Sequence, residues 1–145
     1  MKTIIYYTYN NSPTALVMAA RKTGLLPDDR SLLVSDLKQL TLLNSGGIKG
    51  RLIFVGLDRD HNKIYALTGC GPKELILRFL NSFLDLCSKE SKNCIITDFS
   101  GQTNILLSLG WFIYQKNIFR FISSYIVCSL INKSFSGLTA QTENL

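Results

Sequence analysis

The chain has one histidine, His61. A Ser-His-Asp or Cys-His nucleophile would have to recruit it from between Asp58, Asp60 and Asn62, a setting that reads as a solvated turn. No GxSxG elbow accompanies it. The four cysteines, Cys70, Cys87, Cys94 and Cys128, form no CxxC pair, which argues against a zinc ribbon. All four lie in or beside apolar segments, where cysteine behaves as a small hydrophobe. Asp58, Asp60 and Asn62 begin like a calcium loop, but no glycine stands at its sixth position and no glutamate at its twelfth. No metal and no cofactor is expected.

Acids are scarce: ten Asp and Glu stand against sixteen Lys and Arg, a net charge of +6. Basic domains meet phosphates, nucleic acid or anionic lipid. Here the basic residues are scattered from Lys2 to Lys133, and Arg21-Lys22 is the only adjacent pair. With no arginine-rich run and no RNA-binding aromatic motif, nucleic acid is not the expected partner. Long apolar runs are missing too. Residues 105–131 are the most apolar, but Gln115, Lys116, Asn117 and Arg120 interrupt them. Neither half reaches the roughly 20 residues that a transmembrane helix needs. Met1-Lys2 leads straight into a strand-like run, so no signal peptide is read and a cytoplasmic location is expected.

What is present fits one α/β domain over residues 1–135 and a polar tail over 136–145. KTIIYYTY, residues 2–9, is β-branched and aromatic without helical spacing, and predicts a strand. Ser12 is placed to cap a helix with Pro13 in its first position, and Gly24 and Pro27 stop it. A second helix is expected from a cap at Ser35, with Leu37, Leu40 and Leu43 on its apolar face. RLIFVGL (51–57), a polar turn (58–62) and residues 63–67 predict a β-hairpin. Residues 73–88 show the clearest helical spacing, through Leu75, Ile76, Phe79, Leu80, Phe83, Leu84 and Cys87. Residues 94–97 read as a short strand of a buried sheet interior. A helix is expected over 104–114, with Thr103 as its cap, and 119–131 fits helix and strand equally. The order predicts a mixed sheet covered by helices in two or three layers, with one hairpin.

Three strand-to-helix turns follow: residues 10–14, 69–72 and 98–103. If their strands run parallel, all three lie on the carboxyl edge, where open α/β folds bind ligands. Helix N-termini there offer free N–H groups and partial positive charge to an anion. The candidate ligand-binding residues are Thr8, Asn10, Asn11, Ser12 and Thr14 in the first turn, Gly69 and Gly71 in the second, and Thr103 in the third. Each has a plainer role available: Ser12 as a cap, Asn10 and Asn11 as turn formers. The first turn has neither the glycines and Lys-Ser/Thr of a Walker loop nor a dinucleotide fingerprint, nor the Cys and Arg of a phosphatase loop. Cys70, between two glycines ahead of a helix, is a candidate nucleophile without a histidine partner. Asp98, closing an apolar strand, is the candidate catalytic carboxylate, with an ordinary turn aspartate as the alternative. Whether the protein is an enzyme stays open at this level.

The stretches IIYYTY, ALVMAARKTGLLPDD, RLIFVGLDRDHNKIYALTG and LLSLGWFIYQ resemble a family of small Firmicutes proteins known as domain of unknown function 3189. The resemblance spans about residues 1–135 and implies an α/β fold. Family members usually carry His and Cys inside the first strand, then a Gly-Gly-x-His-Ser/Thr turn. The matching positions here are Tyr7 and Thr8, then Asn10, Asn11, Ser12 and Pro13, and each departs from that pattern. The resemblance therefore implies that any activity resting on that histidine is lost or changed in this chain. Two readings remain. One is a protein that binds a small phosphorylated or carboxylated ligand at the first turn. The other is a non-catalytic interaction protein, a homo-oligomer through residues 105–131.

Overall fold

The computed structural model describes residues 2–9, 12–43, 50–69, 72–87, 93–102, 105–116 and 120–135. Strand β1 (Thr3–Thr8) is central. β3 (Lys63–Thr68) and β4 (Cys94–Asp98) flank it, both parallel to it. β2 (Leu52–Leu57) pairs antiparallel with β3, with a bulge between Phe54 and Gly56, and the sheet order is β2-β3-β1-β4. The expected hairpin is therefore present in a mixed α/β fold.

Alternation along β1 sends Ile4 and Tyr6 to one face of the sheet and Ile5 and Tyr7 to the other. The first face carries the larger core. It is covered by α1 (Thr14–Lys22), α2 (Val34–Leu43), α4 (Ile105–Gln115) and α5 (Arg120–Phe135). The second face is covered by α3 (Lys73–Cys87), whose Ile76, Leu77 and Leu80 pack around Tyr7 and Leu67. Helices thus lie on both faces, in three layers.

Several local expectations are corrected. Gly24 does end α1, at φ +74° in the left-handed region, as expected of a residue just past a helix. At the other end, α1 starts at Thr14, and Pro13 rather than Ser12 holds the cap position. Ser35 does not cap α2. The Asp36 carboxylate does, accepting the Leu33 N–H at 2.8 Å one turn ahead. β4 is an edge strand, not an interior one, and Ile95 stands 46% exposed. A short apolar run looks the same in either place, because it does not reveal how many neighbours the strand has. On α3, Leu75 and Phe79 face solvent, since the expected stripe is wider than the sheet face it meets. Residues 120–135, open between helix and strand from sequence, are helical. Thr103 and residues 44–49 and 136–145 lie outside the described residues.

The Asp58–Asn62 loop is not merely solvated. Asp58 is buried, and its Oδ1 accepts the N–H groups of Asp60 (2.9 Å) and Asn62 (2.8 Å), while Asn62 Nδ2 donates to its Oδ2 at 3.0 Å. Asn62 Oδ1 in turn accepts the Lys2 N–H, tying the hairpin to the start of β1. Asp36 is similarly held, by a bidentate Arg30 at 2.9 and 3.1 Å. Burial raises both carboxyls, but the net shift lies below the ordinary 3.8. For Asp36 the Arg30 and Leu33 hydrogen bonds outweigh burial, and for Asp58 those from Asn62 and Asp60 do. A carboxyl lowered in the folded state contributes stability at neutral pH that is lost as pH falls from 3.8 through the folded value. Thermal unfolding followed from pH 7 into that acid range is expected to show a falling Tm. Asp36→Asn and Asp58→Asn each start lower at neutral pH and have a shallower acid limb.

Cys94 and Cys128 are free thiols, and burial raises both, with Asp36 adding to the rise at Cys128 to about 11. Both therefore behave as inert apolar groups. No helix among the described residues is long and apolar enough to cross a membrane.

Candidate functional site

Because β3 and β4 both run parallel to β1, the register sets Thr8 beside Thr68 and Tyr7 beside Asp98. The carboxyl ends of three strands therefore share one edge, and the turns after them leave from it. Backbone bonds continue the ladders past the strand ends: Gly69 N–H donates to Thr8 O and Phe99 N–H to Tyr7 O, both at 2.8 Å. Tyr9 N–H reaches Ser100 Oγ at 2.8 Å, which joins the first turn to the third.

Thr8, Ser12 and Thr14 meet on the α1 side, all three buried. Thr8 Oγ1 donates to Ser12 O at 3.4 Å, and Ser12 Oγ lies 2.6 Å from Thr14 Oγ1. Ser12 Oγ also accepts the Thr14 N–H at 3.3 Å. Only one hydroxyl hydrogen can lie between Ser12 and Thr14. The other member of that pair keeps its own hydrogen for a further acceptor. Val17 N–H bonds Pro13 O, so the Thr14, Ala15 and Leu16 N–H groups reach no helix carbonyl, and that of Thr14 goes to Ser12 Oγ instead. No acidic residue stands in that first turn, while Arg21 and Lys22 occupy the last. The partial positive charge of the helix start is thus uncompensated within the helix.

The α3 side differs in character. A cavity of about 350 Å³ lies between α3 and β4, with Asp85, Asp98, Asn81 and Cys94 in its walls. Asp98 is exposed, and its Oδ1 accepts the Ser100 N–H at 2.8 Å, the bond of an ordinary aspartate turn. Tyr7 is fully buried on this side, with its hydroxyl against Gly69 and no hydrogen-bond partner among the described residues. Burial first, then Asp98, Tyr9 and Glu74, raise its pKa above 10.0, so the phenol stays protonated at neutral pH. Sequence reasoning set Tyr7 aside as a departure from a family pattern. Its unpartnered hydroxyl became visible only from the side-chain direction, for which alternation along the strand was the one available signal.

Of the residues proposed from sequence, Thr8, Ser12, Thr14 and Gly69 are gathered at this edge, with Asp98 across the sheet face from the hydroxyl cluster. Asn10, Asn11, Cys70, Gly71 and Thr103 lie outside the described residues. Among the described residues no group of three metal-ligating side chains occurs.

These features define a mixed α/β protein with parallel strand ends opening on a helix N-terminus. The chain belongs to the family described as protein of unknown function DUF3189, which it matches over residues 3–145. Comparison with curated proteins and with solved structures gives no match.

Proposed function

We propose that the protein binds a small phosphorylated or carboxylated ligand at the carboxyl edge of the sheet, on the α1 side. The observation that carries this reading is the Ser12–Thr14 hydroxyl pair. It stands at a helix start with no acid in its first turn, and among the described residues one of its hydrogens has no acceptor. An anion oxygen there would accept that hydroxyl and the first-turn N–H groups together. The net charge of +6 favours approach of an anion. The carboxylates of Asp85 and Asp98 disfavour the α3 side for the same guest.

Differential scanning fluorimetry with inorganic phosphate, a nucleoside monophosphate and a dicarboxylate tests the reading. A ligand present at 100 times its Kd stabilises by about 2.7 kcal/mol, which raises Tm by roughly 5–10 °C in a domain of this size. The shift is expected to disappear in the double variant Asn11→Ala plus Ser12→Ala. No shift with any member of the panel, or an equal shift in the double variant, refutes the proposal.

A further inference from the structure

The hairpin of α4 and α5 is apolar on two faces. Toward the core, α4 buries Leu107, Trp111 and Tyr114, and α5 buries Val127 and Ile131. On the other side, Leu106, Leu109 and Ile113 face Ile122, Ile126 and Leu130 across a furrow of about 530 Å³, with Leu130 also packed against the core. Gly110 allows the two helices to approach closely, since a Cβ there would come within 3.2 Å of Val127 Cγ2. Among the described residues the furrow walls carry no charged side chain, and Ser123 is their one polar side chain. A helix that is apolar all round is normally buried all round, yet Leu106 is 59% and Ile122 62% exposed.

We infer that this furrow is the interface of a homodimer, in which the α4–α5 hairpins of two copies pack face to face as a four-helix bundle. The first argument is area. Ile105, Phe112, Phe121 and Tyr125 are further exposed apolar side chains of the same two helices. With the furrow walls they present on the order of 1,000 Å², given that a large aromatic side chain alone covers 150–250 Å². The largest apolar patch of an ordinary monomer is about 300–600 Å², and each partner of a stable complex buries about 800 Å².

The second argument is shape and spacing. The exposed rows repeat at three- and four-residue steps, as the inner rows of helix bundles do. They also line a concavity, which a flat lipid surface would leave unfilled and interdigitating helix side chains would fill. The third argument is charge. Residues 105–135 hold Lys116, Arg120 and Lys133 and no acid, and neither Lys116 nor Lys133 is among the described residues that line the furrow. Self-pairing through the furrow therefore leaves these two lysines outside it, with Lys116 over the Phe112 ring at 5.9 Å.

The salt dependence separates the possible occupants. Screening the basic charge of these residues tightens a homodimer, whereas it weakens attachment to anionic lipid. Size-exclusion chromatography with light scattering on the full chain is expected to give twice the chain mass. The dimer fraction is expected to rise from 50 to 500 mM NaCl, and Tm to rise with protein concentration. Leu109→Lys and Ile126→Lys, both at solvent-facing positions, are expected to weaken association about 30-fold or more, the scale of an interface hot spot. The concentration dependence of Tm is read on the unaltered chain, so it stands even if a variant folds poorly. A monomer at every concentration and salt overturns the inference, as does a dimer indifferent to both substitutions. A monomer that sediments with phosphatidylserine vesicles at low salt and is released at high salt overturns it in favour of a lipid surface.

Discussion

Replacement of Trp111 by alanine is expected to lower stability by about 3–5 kcal/mol, the range for deleting a large buried aromatic side chain. Trp111 is 2% exposed and stacks on Tyr114, with ring centroids 5.6 Å apart and planes 22° from parallel. It sits within the larger core, which also includes Leu107, Val127 and Ile131. Its loss would leave a cavity where α4 and α5 seat on the rest of the fold. Trp111 is the only tryptophan in the chain, so its fluorescence reports directly on this seating. The unaltered protein is expected to emit at short wavelength and resist acrylamide quenching. Red-shifted, readily quenched emission, or a Trp111→Ala variant within about 1 kcal/mol of the parent, contradicts the assignment of this face to the core. The distinction matters for the dimer, because the faces of α4 toward the core and toward the furrow carry different residues.

The second large effect is expected at Gly69. A Cβ built there lies 2.5 Å from Tyr7 Oη, 2.7 Å from Cε2 and 2.9 Å from Cζ. The ring cannot swing aside, because Tyr7 is fully buried beside Ile5, Leu67 and the inward face of α3. Gly69→Ala is therefore expected to cost about 2–3 kcal/mol through overpacking, a fall in Tm of roughly 5–10 °C. Tyr7→Phe has the opposite sign. It removes a buried hydroxyl with no partner among the described residues, and stability is expected to hold or rise by up to about 1 kcal/mol. The two changes couple, because Tyr7→Phe deletes the closest atom, and the double variant is expected to lose less than Gly69→Ala alone. Urea unfolding of the four proteins measures this cycle. A Gly69→Ala protein as stable as the parent would show that the tyrosine ring does not pack under this strand end.

Much of the frame was legible in the residues. The β-branched first strand, Gly24 after the first helix, the hairpin and the helix of residues 73–87 are local patterns, and the structure repeats them. The shared carboxyl edge was conditional on parallel strands, and the β1–β3 and β1–β4 pairings meet that condition. What escaped depends on neighbours. Residues 120–135 gave no period because α5 is apolar toward the core and again toward the furrow, which blurs the 3.6-residue signal. β4 gave no sign of being an edge. Ser35 looked like a cap by type, but Asp36 with Arg30 beside it takes the role. At the candidate site, the polar residues of the first turn were legible. The mutual hydrogen bonding of Thr8, Ser12 and Thr14 was not, because it depends on how the turn folds back onto the strand.

The central claim is that an anion binds at the start of α1. Titration of inorganic phosphate into ¹⁵N-labelled protein, followed through the backbone amides, tests it most directly. Saturable shifts are predicted for Thr14, Ala15 and Leu16, with smaller ones at Thr8 and Gly69. The Asp58–Asn62 loop, at the opposite end of β1, is predicted to stay unmoved. Amides of α1 that do not respond, or shifts scattered with the surface lysines and arginines instead, would contradict it.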